Sequence, residues 1–209
     1  MFLVSTASYL IGSGMLNAVL ERPEFLAGLD ADRTDLVAGL LLELVNAIAV
    51  AGIGMLLYPM LRQHNEALAL GYFGARIIEA SILIISLAGP LVLIALGEDY
   101  AAAEGANRSY LRAIAQAAVD AHFMLFELAM TVLSLGSLLL CYVLFRSKLV
   151  PRVLSLIGFI GYAGLLASSC LAIAGRDIGA VLYIPGAIFE ILFPLWLIVK
   201  GANPRTEKS

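Results

Sequence analysis

Apolar residues run in six long stretches, at roughly 2–20, 36–60, 68–96, 112–145, 150–174 and 179–200. A bilayer core about 30 Å thick is crossed by about 20 residues of α-helix, so each stretch is long enough to span it. Gly, Pro and charged residues separate the stretches at ERPEFLAGLDADRTD, RQHNE, GEDYAAAEGANRS, RSKLVPR and GRD, segments that read as turns and loops. The first stretch is the most dilute, carrying Ser5, Thr6, Ser8, Ser13 and Asn17. It has no basic segment ahead of it and no A-x-A site before Glu21, so it reads as a helix and not as a cleavable signal. The pattern predicts an all-α fold, a polytopic bundle of six transmembrane helices forming one transmembrane domain over residues 1–209.

Composition agrees with that reading. Of 209 residues, 61% are hydrophobic and 14% charged, and the mean hydropathy is +0.95. Soluble domains run near half apolar and about a quarter charged, so a soluble enzyme and a disordered chain are excluded. The net charge of −3 gives nothing to attract phosphate backbones, and no nucleic-acid partner is expected. Cys141 and Cys170 both lie in apolar runs without a CxxC neighbour, as small packing side chains would.

The distribution of Lys and Arg sets the expected orientation. With the N-terminus in the cytoplasm, the inner ends hold Arg62, Arg146, Lys148, Arg152, Lys200, Arg205 and Lys208, against Glu66 and Glu207. The outer loops then hold Arg22, Arg33, Arg108, Arg112 and Arg176. Facing these are Glu21, Glu24, Asp30, Asp32, Asp35, Glu98, Asp99, Glu104 and Asp177. Both termini are expected in the cytoplasm. The acidic outer loops read either as a solvated face or as a vestibule that attracts cations.

Two spans share a pattern. ELVNAIAVAGIGMLLYPMLR (43–62) and ELAMTVLSLGSLLLCYVLFR (127–146) align without gaps, matching Glu43 with Glu127, Gly52 with Gly136, Tyr58 with Tyr142 and Arg62 with Arg146. Tyr and Arg suit the membrane interface and Gly suits close helix packing. The shared Glu has no generic reason to be there. A parallel duplication of helix pairs and coincidence both remain open.

Ionisable residues within spans are costly and are functional candidates by default. Here they are Glu43 with Asn46, Arg76 with Glu79, Asp120 with His122 and Glu127, and Glu190. At about 1.5 Å per residue, counting from Arg62 and Arg146, Glu43 and Glu127 lie roughly 28 Å from the inner surface. Arg76 and Glu190 come out roughly 15 Å in, with Glu79 somewhat beyond. The set predicts a polar funnel open to the outside and floored near mid-membrane. Arg76 and Glu79, three apart, share a helix face and can pair. Either they form a structural bridge, to Glu190 or Asn46 as well, or Arg76 holds an anionic group with its fork of donors. Five carboxylates face one Arg and one His, which a dry site cannot hold fully ionised. Protonation, hydration at the outer edge, or a bound cation would resolve the excess.

His122 is the only histidine within a span, so a bis-histidine haem is unavailable. Asp120 and His122, two apart, point to different sides of a helix, which disfavours a zinc site. GxSxG, HExxH and P-loop patterns are absent from the sequence. No cofactor and no metal site are expected, and the catalytic residues of any enzyme reading stay unassigned.

The stretch LLELVNAIAVAGIGMLLYPMLRQHNEALALGYFGARIIEA, with RSKLVPRVLSLIGFIGY and FEILFPLWLIVKGANP, resembles the bacterial membrane family known as domain-of-unknown-function 4386. Tyr58-Pro59, Arg76-x-x-Glu79 and Glu190…Trp196…Lys200-Gly201 carry the resemblance, which covers nearly the whole chain. It implies a six-helix protein of the bacterial inner membrane and no particular chemistry. Members usually carry a short basic segment before helix one, where this chain opens at MFLV.

Three functions fit these features. The first is a protein that binds or passes a small molecule, lipid headgroup or cation through a carboxylate-rich, outward-facing pocket. That pocket would comprise Glu43, Asn46, Arg76, Glu79, His122, Glu127 and Glu190. The second is an accessory or structural subunit of a membrane complex, with the charges as glue between helices. The third is a membrane enzyme acting on lipid, with Asp120, His122 or Glu127 as acid and base. Partners beyond the lipid bilayer would be the ligand and a second copy or a larger membrane complex, since six helices make a small transporter.

Overall fold

The computed structural model describes residues 1–22, 25–176 and 180–200. Glu24 and Asp177 of the expected outer loops lie outside the described residues. So do residue 179 at the start of the last span, Gly201 of the family motif, and Arg205, Glu207 and Lys208 of the basic tail.

The described residues are overwhelmingly helical and form no strand. In order they form α1 (Phe2–Leu20), a 3-10 turn (Phe25–Gly28), α2 (Leu29–Arg62), α3 (Glu66–Ser86), α4 (Ala88–Ala102), α5 (Gly105–Ser147), α6 (Arg152–Ile173), a second 3-10 turn (Ala180–Tyr183) and α7 (Ile184–Lys200). Among them are six stretches long and apolar enough to cross a membrane, with α3 and α4 together making the third. Apolar side chains crowd the outer surfaces. Ile188, Ile191, Leu192, Leu195, Ile198 and Val199 of α7 are all exposed, as side chains facing lipid would be.

The helices outrun the apolar stretches that announce them. With 43 residues α5 is about 64 Å long, and α2, with 34, about 51 Å. Both exceed the hydrocarbon core by several turns, because helix continues through the polar flanks 29–35 and 105–111 once the apolar part is nucleated. The long loop expected at 97–109 shrinks to two residues between α4 and α5, where Gly105 turns the chain at φ 57°. At the other end of the span, Asn65 accepts the Leu68 N–H at 3.0 Å and caps α3.

The chain packs as two compact units. One comprises Met1–Leu3, Ala49–Glu79 and Glu127–Ser209. Its core holds Ile53, Leu61, Tyr72, Leu140, Leu144, Tyr162, Phe189 and Phe193. Glycines let its helices meet closely. A Cβ on Gly136 of α5 would fall 2.6 Å from Ala75 of α3, and one on Gly161 of α6 would fall 2.4 Å from the backbone of Gly186 in α7. Such small-residue contacts are the usual way helices associate in lipid, where burial of apolar area adds little.

The other unit comprises Val4–Ile48 and Ala80–Phe126, around Leu16, Leu36, Leu93 and Val119. Tyr9 stacks on Phe126 with ring centres 5.6 Å apart. A break at Leu87 divides the third span inside this unit, between α3 and α4. Its cause is local. Pro90 has no N–H, so the Ser86 carbonyl loses the donor four residues ahead that a continuous helix would supply. His122 of α5 makes up the loss, its Nδ1 lying 2.9 Å from that carbonyl. Sequence patterning runs straight through LAGPL because its apolar content is unbroken.

Candidate functional site

Within the first unit, Tyr72, Arg76 and Glu79 fall at i, i+4 and i+7, so α3 presents them on one face. All three are buried. The Arg76 stem fits because Gly54 of α2 lies against it; a Cβ there would come 2.9 Å from the Arg76 Cβ. Arg76 Nη1 is 3.0 Å from Glu79 Oε2. The pair is in ionic contact, and Arg76 Nε and Glu79 Oε2 have no hydrogen-bond partner among the described residues.

Two further helices complete the cluster. On α6, Gly158, Gly161, Tyr162 and Leu165 form the buried face. Phe189 of α7 lies against Gly158 and meets Tyr162 edge-on at 5.7 Å. That packing holds the next residue, Glu190, where its Oε1 accepts the Tyr162 hydroxyl at 3.1 Å. Arg76 is in electrostatic reach of Glu79, Tyr72, Glu190 and Tyr162. Glu190 is half-buried as a residue. Pro194 lies four residues beyond it within α7 and has no N–H to offer the Glu190 carbonyl. One residue thus brings both a carboxylate and a backbone carbonyl without its helical donor.

The shared face expected for Arg76 and Glu79 is observed, and Glu190 lies within electrostatic reach of Arg76. Glu127 belongs to the same unit but has a different partner: the Tyr183 hydroxyl lies 3.2 Å from each of its carboxylate oxygens. The remaining residues lie in the other unit. Glu43 is buried there. Asn46 Oδ1 accepts the Ser5 hydroxyl at 2.6 Å, and His122 holds the Ser86 carbonyl. Asp120 is exposed and takes the Gln116 amide at 2.9 Å. Among the described residues, no three His, Cys, Asp or Glu side chains converge as a metal centre would need.

Sequence reasoning missed Tyr72, Tyr162 and Tyr183. For Tyr162 the signal was present: ten residues from Arg152, it lies about 15 Å deep, level with Arg76 and Glu190. A phenol at that depth needs a polar partner.

The architecture and the buried charges define a multi-pass membrane protein with an ionic cluster inside its helices. Comparison with known families is consistent with that class. The family model described as "Domain of unknown function (DUF4386)" matches residues 1–201, and the chain belongs to that family. No curated protein and no solved structure matches it.

Proposed function

We propose that the Arg76–Glu79–Glu190 cluster binds a small cation, or lets one pass, in a protein of the bacterial inner membrane whose two termini are cytoplasmic. The observation that carries the reading is the charge balance. A buried carboxylate touches a single guanidinium inside membrane-spanning helices, and a second carboxylate lies within its electrostatic reach. An uncompensated negative charge in so dry a place is expensive, and a cation cancels it.

The donor set suits a small, partly hydrated ion. Glu190 offers carboxylate oxygens, and Pro194 gives its carbonyl no N–H at the usual helical position. Glu79 Oε2 has spare acceptor capacity. A water on the ion would accept from Arg76 Nε, which has no partner among the described residues. Arg76 then pairs with Glu79 without neutralising the whole site.

A specific observation favours a second reading, that of a structural subunit. The Tyr162–Glu190 hydrogen bond joins α6 to α7, as an interhelical tie would. The two readings part at Glu190→Gln, which keeps an acceptor for Tyr162 and removes the charge. Native mass spectrometry with elemental analysis of the purified full chain tests them. Retention of sodium or potassium by the parent protein and its loss in Glu190→Gln supports the cation site. An ion-free parent that stays intact as Glu190→Gln but whose helices come apart as Tyr162→Phe supports the structural tie instead.

A further inference from the structure

A second feature lies at another place in the same unit, where α5 ends, α6 begins and α7 ends. A cavity of about 490 Å³ opens there, lined by Lys148, Pro151, Arg152, Trp196 and Lys200 over a floor of Leu149 and Val150. None of these residues belongs to the Arg76 cluster. Three of the five walls are cations, and no described carboxylate pairs with any of them. Leu149 and Val150 are buried, while the three cations are exposed at the rim.

Each element contributes for a local reason. Trp196 and Lys200 are four apart on α7, so the indole and the ammonium share one face. Arg152 opens α6 directly after Pro151, which gives that helix no side-chain cap; its guanidinium lies 5.4 Å from the Phe145 ring centre. Lys148 ends α5 at φ 58°, the left-handed region where glycine is at ease and a lysine is strained. A tryptophan beside clustered cations, with apolar walls below, is the pattern of a membrane–water interface that receives an acidic headgroup.

We infer that this cavity binds a phosphate-bearing anion, the headgroup of an anionic phospholipid. The size is suitable: small-ligand sites run from about 300 Å³ upward. The charge is suitable too, since three cations without a carboxylate partner among the described residues form an anion site that an anion completes. The apolar floor and the exposed Ile198 and Val199 beside Lys200 leave a path for the attached acyl chains. The site stands independently of the cation reading at Arg76.

The test is native mass spectrometry of the full chain in one mild detergent, with phosphatidylglycerol or phosphatidylcholine added at equal concentration. Phosphatidylglycerol should be retained about tenfold more strongly, given the attraction each cation adds near an anionic headgroup. Lys148→Gly combined with Lys200→Gln should erase that preference. Lys148→Gly alone should weaken it while the protein unfolds at the same or a higher temperature, because glycine accepts the left-handed turn. Such a result separates a binding loss from a folding loss.

Competition with inorganic phosphate distinguishes two sources of the same chemistry. Displacement of the lipid would identify the free anion as sufficient, whereas resistance to displacement would identify the lipid. A parent protein with no preference between the two lipids, or a double variant that keeps it, overturns the inference.

Discussion

At the scale of single residues, Arg76 is the position on which the cluster depends. It is 4% exposed and Glu79 2%, so each is tolerable only because of the other. Removing one partner of a buried ion pair leaves a charge with nowhere to go, and costs about 3–5 kcal/mol. Arg76→Ala should therefore lower the thermal unfolding temperature in detergent markedly, and adding Glu79→Gln should recover part of the loss. Equal instability of the single and double variants would show that Arg76 contributes through its packing against Gly54 and not through charge. Much of this cluster was legible in the sequence. The i, i+3 spacing announced the Arg76–Glu79 pair, and counting residues from the basic ends put Glu190 level with it. The tyrosines were not legible, because hydropathy treats a buried phenol as one more apolar residue and contains nothing about its hydroxyl.

At the scale of elements, the third span shows how one proline is accommodated. Pro90 deprives the Ser86 carbonyl of its donor, and His122 supplies another at 2.9 Å. His122→Ala should then leave a buried carbonyl unsatisfied and cost about 1–3 kcal/mol. In a Pro90→Ala background the same substitution should cost much less, because the alanine restores a backbone N–H that can donate to the Ser86 carbonyl. A double-mutant cycle on thermal unfolding measures the coupling; additive effects would show that the imidazole and the proline are unrelated. The sequence offered His122 as a site residue because an imidazole in a span is unusual. Its actual contact lies 36 positions away in the chain. Local pattern carries no information about such a pairing, whereas the six apolar stretches were legible because each needs only its own composition. Where the helices end was less so. Helix propagates past the apolar part of α2 and α5, and the loop between α4 and α5 is far shorter than its polar composition suggested.

At the scale of the whole molecule, an even number of crossings by the six apolar stretches would put both ends of the chain on one side. The excess of basic residues at Arg62, Arg146, Lys148, Arg152 and Lys200 supports the cytoplasm as that side in the proposed topology. A fluorescent protein fused after residue 209 should glow in intact bacterial cells, and alkaline phosphatase at the same place should be inactive. The opposite result would invert the topology and put the Lys148–Arg152–Lys200 cavity outside.

The central claim is that the ionic cluster holds a cation, and ligand-linked stability tests it most directly. A ligand that binds only the folded state stabilises it by about 2.7 kcal/mol at a hundredfold excess over its dissociation constant. For a chain of this length that is a rise of several degrees, at about 2–4 °C per kcal/mol. Thermal unfolding would be followed while choline chloride is replaced by sodium or potassium chloride at constant ionic strength. With a cation at Glu190, the parent protein's unfolding temperature climbs with one of these ions and that of Glu190→Gln stays flat. Identical curves for parent and variant would contradict the cation site.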